Sequence, residues 1–315
     1  MEETNSSFNS QNIADLNPWQ MLKHQFSQLR TNVLLITSPG NKQFRDISKR
    51  FRLMLISFLI PSIFLVLKVF LIEEVTSLYV WIGISFALSV ITYLLSLWGL
   101  KFQIRKESYM SVLNLPPLFV FTVTLFISLV FLGPLNRIYL LATFILCIAI
   151  IMVLLYILLL AVNVLNVNLF YVIPLGKLAE TLQYFYSVIC TFLMTFSTAW
   201  ILFHTVVTDI WLAILGAVVL FVVLTIMFFE TIYYYTPVQG GTLLFSILLS
   251  LVMMISLGIY AILLPYMFLA CIIVSLQVYV MLGLMIHKSQ NTLKVQIYIE
   301  YMVIFGLILL TILLI

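Results

Sequence analysis

Nine apolar runs, each long enough to cross a bilayer, fill this chain from residue 53 to residue 315. They cover 53–72, 75–100, 116–133, 138–162, 186–205, 210–230, 241–264, 266–286 and 296–315. A hydrocarbon core about 30 Å thick takes roughly 20 helical residues to cross. The pattern therefore predicts an all-α fold, a polytopic transmembrane helical bundle of about nine spans. An N-terminal segment, 1–52, precedes the membrane domain, 53–315. Charged residues make up 8% of the chain, against about 25% in soluble domains, so most of the apolar surface is matched to lipid.

The basic residues give this bundle a direction. With the N-terminus placed in the cytoplasm, thirteen of the fifteen Lys and Arg fall on that side. Seven precede the first span. Lys101, Arg105 and Lys106 follow span two, Lys177 follows span four, and Lys288 and Lys294 follow span eight. Only Lys68 and Arg137 fall elsewhere, while the outer loops carry Glu73, Glu74 and Asp209. Translocating Lys and Arg is costly, which produces this bias. The expected location is a cell membrane, plasma or inner, with the N-terminus inside and the C-terminus outside. The net charge of +4 follows from the same asymmetry and implies no nucleic-acid partner. A first apolar run at residue 53 lies too late for a cleavable signal, so span one is expected to serve as an uncleaved anchor. A merged or re-entrant helix across 163–185 would change the span count. Cys147, Cys190 and Cys271 all lie inside spans, and an odd number at that depth argues against a disulfide framework.

The segment before the first span has its own pattern. Residues 1–12 are polar and rich in Asn and Ser, a composition that predicts disorder. Asn17 then suits an N-cap and Pro18 the first helical position. Trp19, Leu22, Phe26, Leu29 and Val33 recur at spacings of three and four, which puts them on one helical face. An amphipathic helix with such a face and basic flanks suits the membrane interface. It equally suits packing on the protein's own cytoplasmic loops. Ser38-Pro39-Gly40-Asn41-Lys42 lacks the second glycine and the Lys-Ser/Thr ending of a phosphate-binding loop, so it is a turn. The basic run that follows, with Lys42, Arg45, Lys49, Arg50 and Arg52, is placed to meet anionic lipid headgroups at about 1 kcal/mol per charge.

Ionisable residues at membrane depth mark functional candidates, because hydrocarbon penalises them. Lys68 lies close enough to the outer surface to snorkel, towards Glu73 or Glu74. His204 and Asp209 form too small a pair for a metal site. Glu230 closes span six and Glu300 lies about one turn into span nine, near the cytoplasmic face. Tyr233, Tyr234 and Tyr235 follow the first, and Tyr298 and Tyr301 flank the second. Two carboxylates meeting in an aromatic-rimmed pocket of low dielectric would bind a proton or a cation. The plainer alternative is an interfacial tyrosine belt whose carboxylates reach water or pair with Lys. Gln277, near the middle of span eight, is expected to hydrogen-bond another helix. Asn163, Asn166 and Asn168 lead to Pro174-Leu175-Gly176-Lys177, and 176–186 reads as a surface helix entering span five.

No catalytic set emerges. Three histidines, and no carboxylate cluster beyond Glu73-Glu74, leave nothing from which to assemble a nucleophile, a base or a metal box. The sequence thus indicates neither enzyme nor cofactor nor metal. It points to an accessory or scaffold membrane protein, with the bilayer, anionic headgroups and a membrane-protein partner as its contacts. The alternative is a small-solute or lipid transporter with Glu230, Glu300 and Gln277 along its route.

Overall fold

In the computed structural model the apolar runs are helical, and no strand occurs among the described residues. Those residues are 47–71, 77–100, 113–131, 138–168, 176–205, 209–235, 242–263 and 267–289, with 295, 299–304, 306 and 310 near the C-terminus. The expected disordered start, the amphipathic helix through Trp19, Leu22, Phe26 and Leu29, and Arg45 lie outside them. So do Glu73, Glu74, Arg137 and Lys294, and the side chains of His204 and Tyr233–Tyr235.

Among the described residues eight long helices follow one another: α1 (Ile47–Val66), α2 (Leu78–Gly99), α3 (Leu115–Val130), α4 (Ile138–Asn168), α5 (Gly176–Thr205), α6 (Ile210–Tyr235), α7 (Thr242–Leu263) and α8 (Met267–Ser289). α1 carries Pro61 and runs on into a π turn, Leu67–Leu71. Side-chain pairs show that α1 and α2, and α5 and α6, run in opposite directions. Gly99, at the end of α2, meets Leu53 and Ile56 at the start of α1. Thr191 of α5 donates to Met227 Sδ of α6, and Thr198 donates to the Gly216 carbonyl. Tyr79, at the start of α2, reaches Asp209, just before α6. The bundle thus has one end marked by Asp209 and another marked by Glu230.

Among the described residues, six helical stretches are long and apolar enough to cross a membrane: Lys49–Val69, Leu78–Gly99, Ile138–Asn166, Leu178–Leu202, Ile210–Glu230 and Leu243–Tyr260. Leu115–Val130 and Phe268–Leu284 are shorter apolar helices. The run 116–133 differs most from its expectation as a lipid-facing span. It forms a 16-residue helix in which every residue but Phe126 and Val130 is buried. Leu115-Pro116-Pro117 starts it, since proline suits a first turn whose N–H groups have no helical partner. A helix that is apolar all round belongs either in lipid or inside protein; α3 is inside. The stretch 163–185 also resolves differently from expectation. Residues 163–168 end α4, and 176–186 is no separate surface helix but the first part of α5, with Tyr186 buried.

α3 and α5 form the centre of the bundle. α5 packs against α3, α4, α6 and α8, and α3 packs against α2, α4 and α5. No residue of α5 from Tyr186 to Leu202 is exposed. Its inner stripe carries Ser187, Thr191 and Thr195, each donating to the carbonyl four residues back at 3.0, 2.9 and 2.8 Å. Hydroxyls satisfied within their own helix let neighbouring helices approach closely, and packing of this kind holds helices together in lipid. Aromatic rings fill the remaining space. Phe119–Tyr186 and Phe126–Phe196 meet edge to face at 5.2 and 5.4 Å, a geometry worth about 0.5–1.5 kcal/mol beyond area burial. The Tyr186 hydroxyl donates to the Leu154 carbonyl of α4 at 2.6 Å. Between α1, α3 and α4 a void of about 10 Å³ remains, lined by Ile60, Phe64, Val120 and Ile148 among others.

Candidate functional site

Glu230 lies five residues before the end of α6 and is 1% exposed. The interfacial alternative, a carboxylate reaching water, does not hold for this residue. Its partner is Asn114, whose side chain and backbone N–H both donate toward the carboxylate. Asn114 is the N-cap of α3, yet its side chain makes no capping bond to its own helix. An N-cap asparagine ordinarily spends its side-chain oxygen on its own first turn; here the amide is directed at α6. The carboxylate also lies at the positive end of the α3 dipole, which favours an anion. Cys190 of α5 is within electrostatic reach. Oε1 of Glu230 has no hydrogen-bond partner among the described residues. A buried carboxylate oxygen in that state is costly unless a proton, a hydroxyl or a cation meets it.

Asn114 also lines a cleft of about 590 Å³, together with Ser89, Tyr93, Pro117, Thr225 and Leu243 among others. α3 is its floor, α2 forms one wall, and α6 with the start of α7 forms the other. Ser89 donates to the Pro117 carbonyl at 3.0 Å, tying α2 to the floor. At the far end of the bundle the Tyr79 hydroxyl donates to Asp209 Oδ2 at 2.6 Å and bridges the walls. Asp209 Oδ1 accepts from the Leu212 N–H at 3.2 Å, capping α6. The Tyr79 hydrogen bond holds the Asp209 carboxyl below its ordinary 3.8.

The other two predicted residues occupy different neighbourhoods. Glu300 is exposed, and its charge acts on Tyr184, Tyr279 and Tyr301. Tyr279 and Tyr301 pack at 6.0 Å, and His287 lies 6.4 Å from Tyr301. Gln277 donates through Nε2 to the Tyr260 hydroxyl of α7, while its Oε1 has no partner among the described residues. Glu230, Glu300 and Gln277 therefore do not share one set of partners among the described residues.

Two basic residues sit differently from their expected places. Lys68 does not snorkel: it is 1% exposed, and its Nζ lies 4.3 Å from the Trp81 ring centroid with no hydrogen-bond partner among the described residues. The π turn aims it inward, and π turns often accompany functional positions. Arg52 does more than face headgroups. Its guanidinium lies 4.7 Å over the Trp98 ring and its Nη1 donates to the Trp98 carbonyl at 3.2 Å, pinning the start of α1 to the end of α2. Arg50 is exposed, and Lys49 is half-buried and paired.

Sequence reasoning missed Asn114. Its place before Leu-Pro-Pro is a helix-start signal, but nothing local announces a partner on α6. Chemically, the site can hold a hydrogen-bond donor or a proton in an apolar setting. Among the described residues no three His, Cys, Asp or Glu side chains group to hold a metal ion. Comparison with family models, curated proteins and solved structures gave no match.

Proposed function

We propose that this multi-pass membrane protein is a non-catalytic accessory or scaffold component of a membrane assembly. The closed packing of α3 and α5 at the bundle centre carries the reading: their buried hydroxyls bond carbonyls of their own helices, and neither helix is broken at its middle in the way on which transporters build a substrate site. That Glu230, Glu300 and Gln277 have no partner in common among the described residues supports it, since a coupled route needs such groups in series. The charge pattern supports a plasma or inner membrane location with the N-terminus in the cytoplasm and the C-terminus outside. In this arrangement Arg45, Lys49 and Arg50 meet anionic headgroups. The apolar stripe Trp19, Leu22, Phe26 and Leu29 in the sequence is offered as the binding element for a membrane-protein partner.

Native mass spectrometry of the full chain, extracted from its own membrane in nanodiscs, tests this. A protein partner at fixed stoichiometry is the expected result. A lone chain that moves a solute across reconstituted vesicles would overturn the reading. In that case Glu230→Gln and Glu300→Gln together would abolish proton-coupled uptake.

A further inference from the structure

We propose that the cleft over α3 holds one molecule of a neutral, hydroxyl-headed membrane lipid, with its hydroxyl on Asn114 and the Glu230 carboxylate behind it. The mouth of the cleft decides the source. Val90 and Leu243, which line it, are apolar and exposed, and they belong to helices long enough to cross the bilayer. Whatever fills the opening therefore comes from the lipid. The volume of about 590 Å³ falls in the range of pockets that enclose most of a small amphiphile.

Charge selects the head group. Among the described residues no Lys or Arg lines the cleft to receive a phosphate, and the carboxylate behind Asn114 would repel one. A neutral hydroxyl can donate a hydrogen bond there. It meets an amide whose neighbouring carboxylate has an oxygen without a partner among the described residues. Ser89 and Thr225, the lining hydroxyls nearest mid-bilayer, already donate to the Pro117 and Phe221 carbonyls, so the polar end is the Asn114 end. The apolar body then lies along Val90, Leu118 and Ile226.

The test uses the full-length protein in phosphatidylcholine nanodiscs containing equal small fractions of dioleoylglycerol or of dioleoylphosphatidylglycerol. Native mass spectrometry reads the lipid retained after the bilayer is stripped. One diacylglycerol per chain is expected, in preference to phosphatidylglycerol. Thr225→Trp and the rim variant Val90→Trp fill the cleft and should abolish retention. Val222→Trp, on an exposed face of the same helix, should leave it intact. Asn114→Leu should weaken it about tenfold, the scale of one lost hydrogen bond. Equal or better retention of phosphatidylglycerol, no retention of diacylglycerol, or retention that survives both tryptophans at unchanged thermal stability would each overturn the assignment.

Discussion

Lys68 and Glu230 are opposite charges with the same predicament. Each is about 1% exposed, and each has a polar atom without a hydrogen-bond partner among the described residues. Their surroundings differ, and so do the consequences of removing them. Lys68 has the face of Trp81, and a cation over a desolvated ring gains about 2 kcal/mol. Burying an ammonium costs several kcal/mol after relaxation, so the ring does not offset the burial. Lys68→Met keeps the length of the side chain and removes the charge. It should stabilise the folded protein by about 1 kcal/mol or more, read as a raised Tm of the purified protein in one fixed detergent. A Tm lowered by this replacement would mean that the ammonium has an acceptor beyond the described residues. Glu230 is legible in sequence as an ionisable residue at the end of an apolar run, but its partner is not. Hydropathy and spacing report neighbours along a chain, whereas Asn114 belongs to a separate helix and meets α6 only after both have packed.

At the scale of elements, the existence of helices was legible and their surroundings were not. Long apolar runs have one means of satisfying their backbone in lipid, so α2, α4 and α6 stand close to their expected limits. α3 shows what hydropathy cannot distinguish: Phe119, Val123 and Leu125 are as apolar as lipid-facing residues, yet they are buried in protein. The junction of α8 with the C-terminal segment shows a second limit. Gly283 stands in the sequence as a lone small residue within an apolar run. In the structure a Cβ there would overlap the Tyr301 hydroxyl, which lies beside Tyr279. Tyr301 is itself buried, so it has little room to yield. Gly283→Ala should cost about 1–3 kcal/mol by overpacking and displace the segment that carries Tyr301. Trypsin would then cut at Lys294 faster than in the parent, and Gly283→Ala/Tyr301→Leu would restore the parent rate by removing the ring. Equal cleavage of parent and Gly283→Ala would show that the contact does not hold the segment.

For the whole molecule, the parity of crossings governs where each end lies. Opposed directions of α1 and α2, and of α5 and α6, with Gly99 against Leu53 and Thr198 against Gly216, show how every added crossing moves the C-terminus to the other side. Eight crossings would return it to the side of residue 1, and nine would leave it opposite. The short buried α3 also reverses the chain, carrying it from Asn114 at the Glu230 end to Phe131 beside Phe144 near the start of α4. In the proposed orientation thirteen basic residues hold the N-terminus in the cytoplasm, and the last apolar run, 296–315, decides the parity. An epitope placed after Ile315 should bind antibody on intact cells or spheroplasts. A cysteine at Ser10 should react with a membrane-impermeant maleimide only after permeabilisation. If both markers require permeabilisation, the last run does not cross and the bundle has an even number of spans. Tyr301 would then fasten a segment lying along the cytoplasmic face.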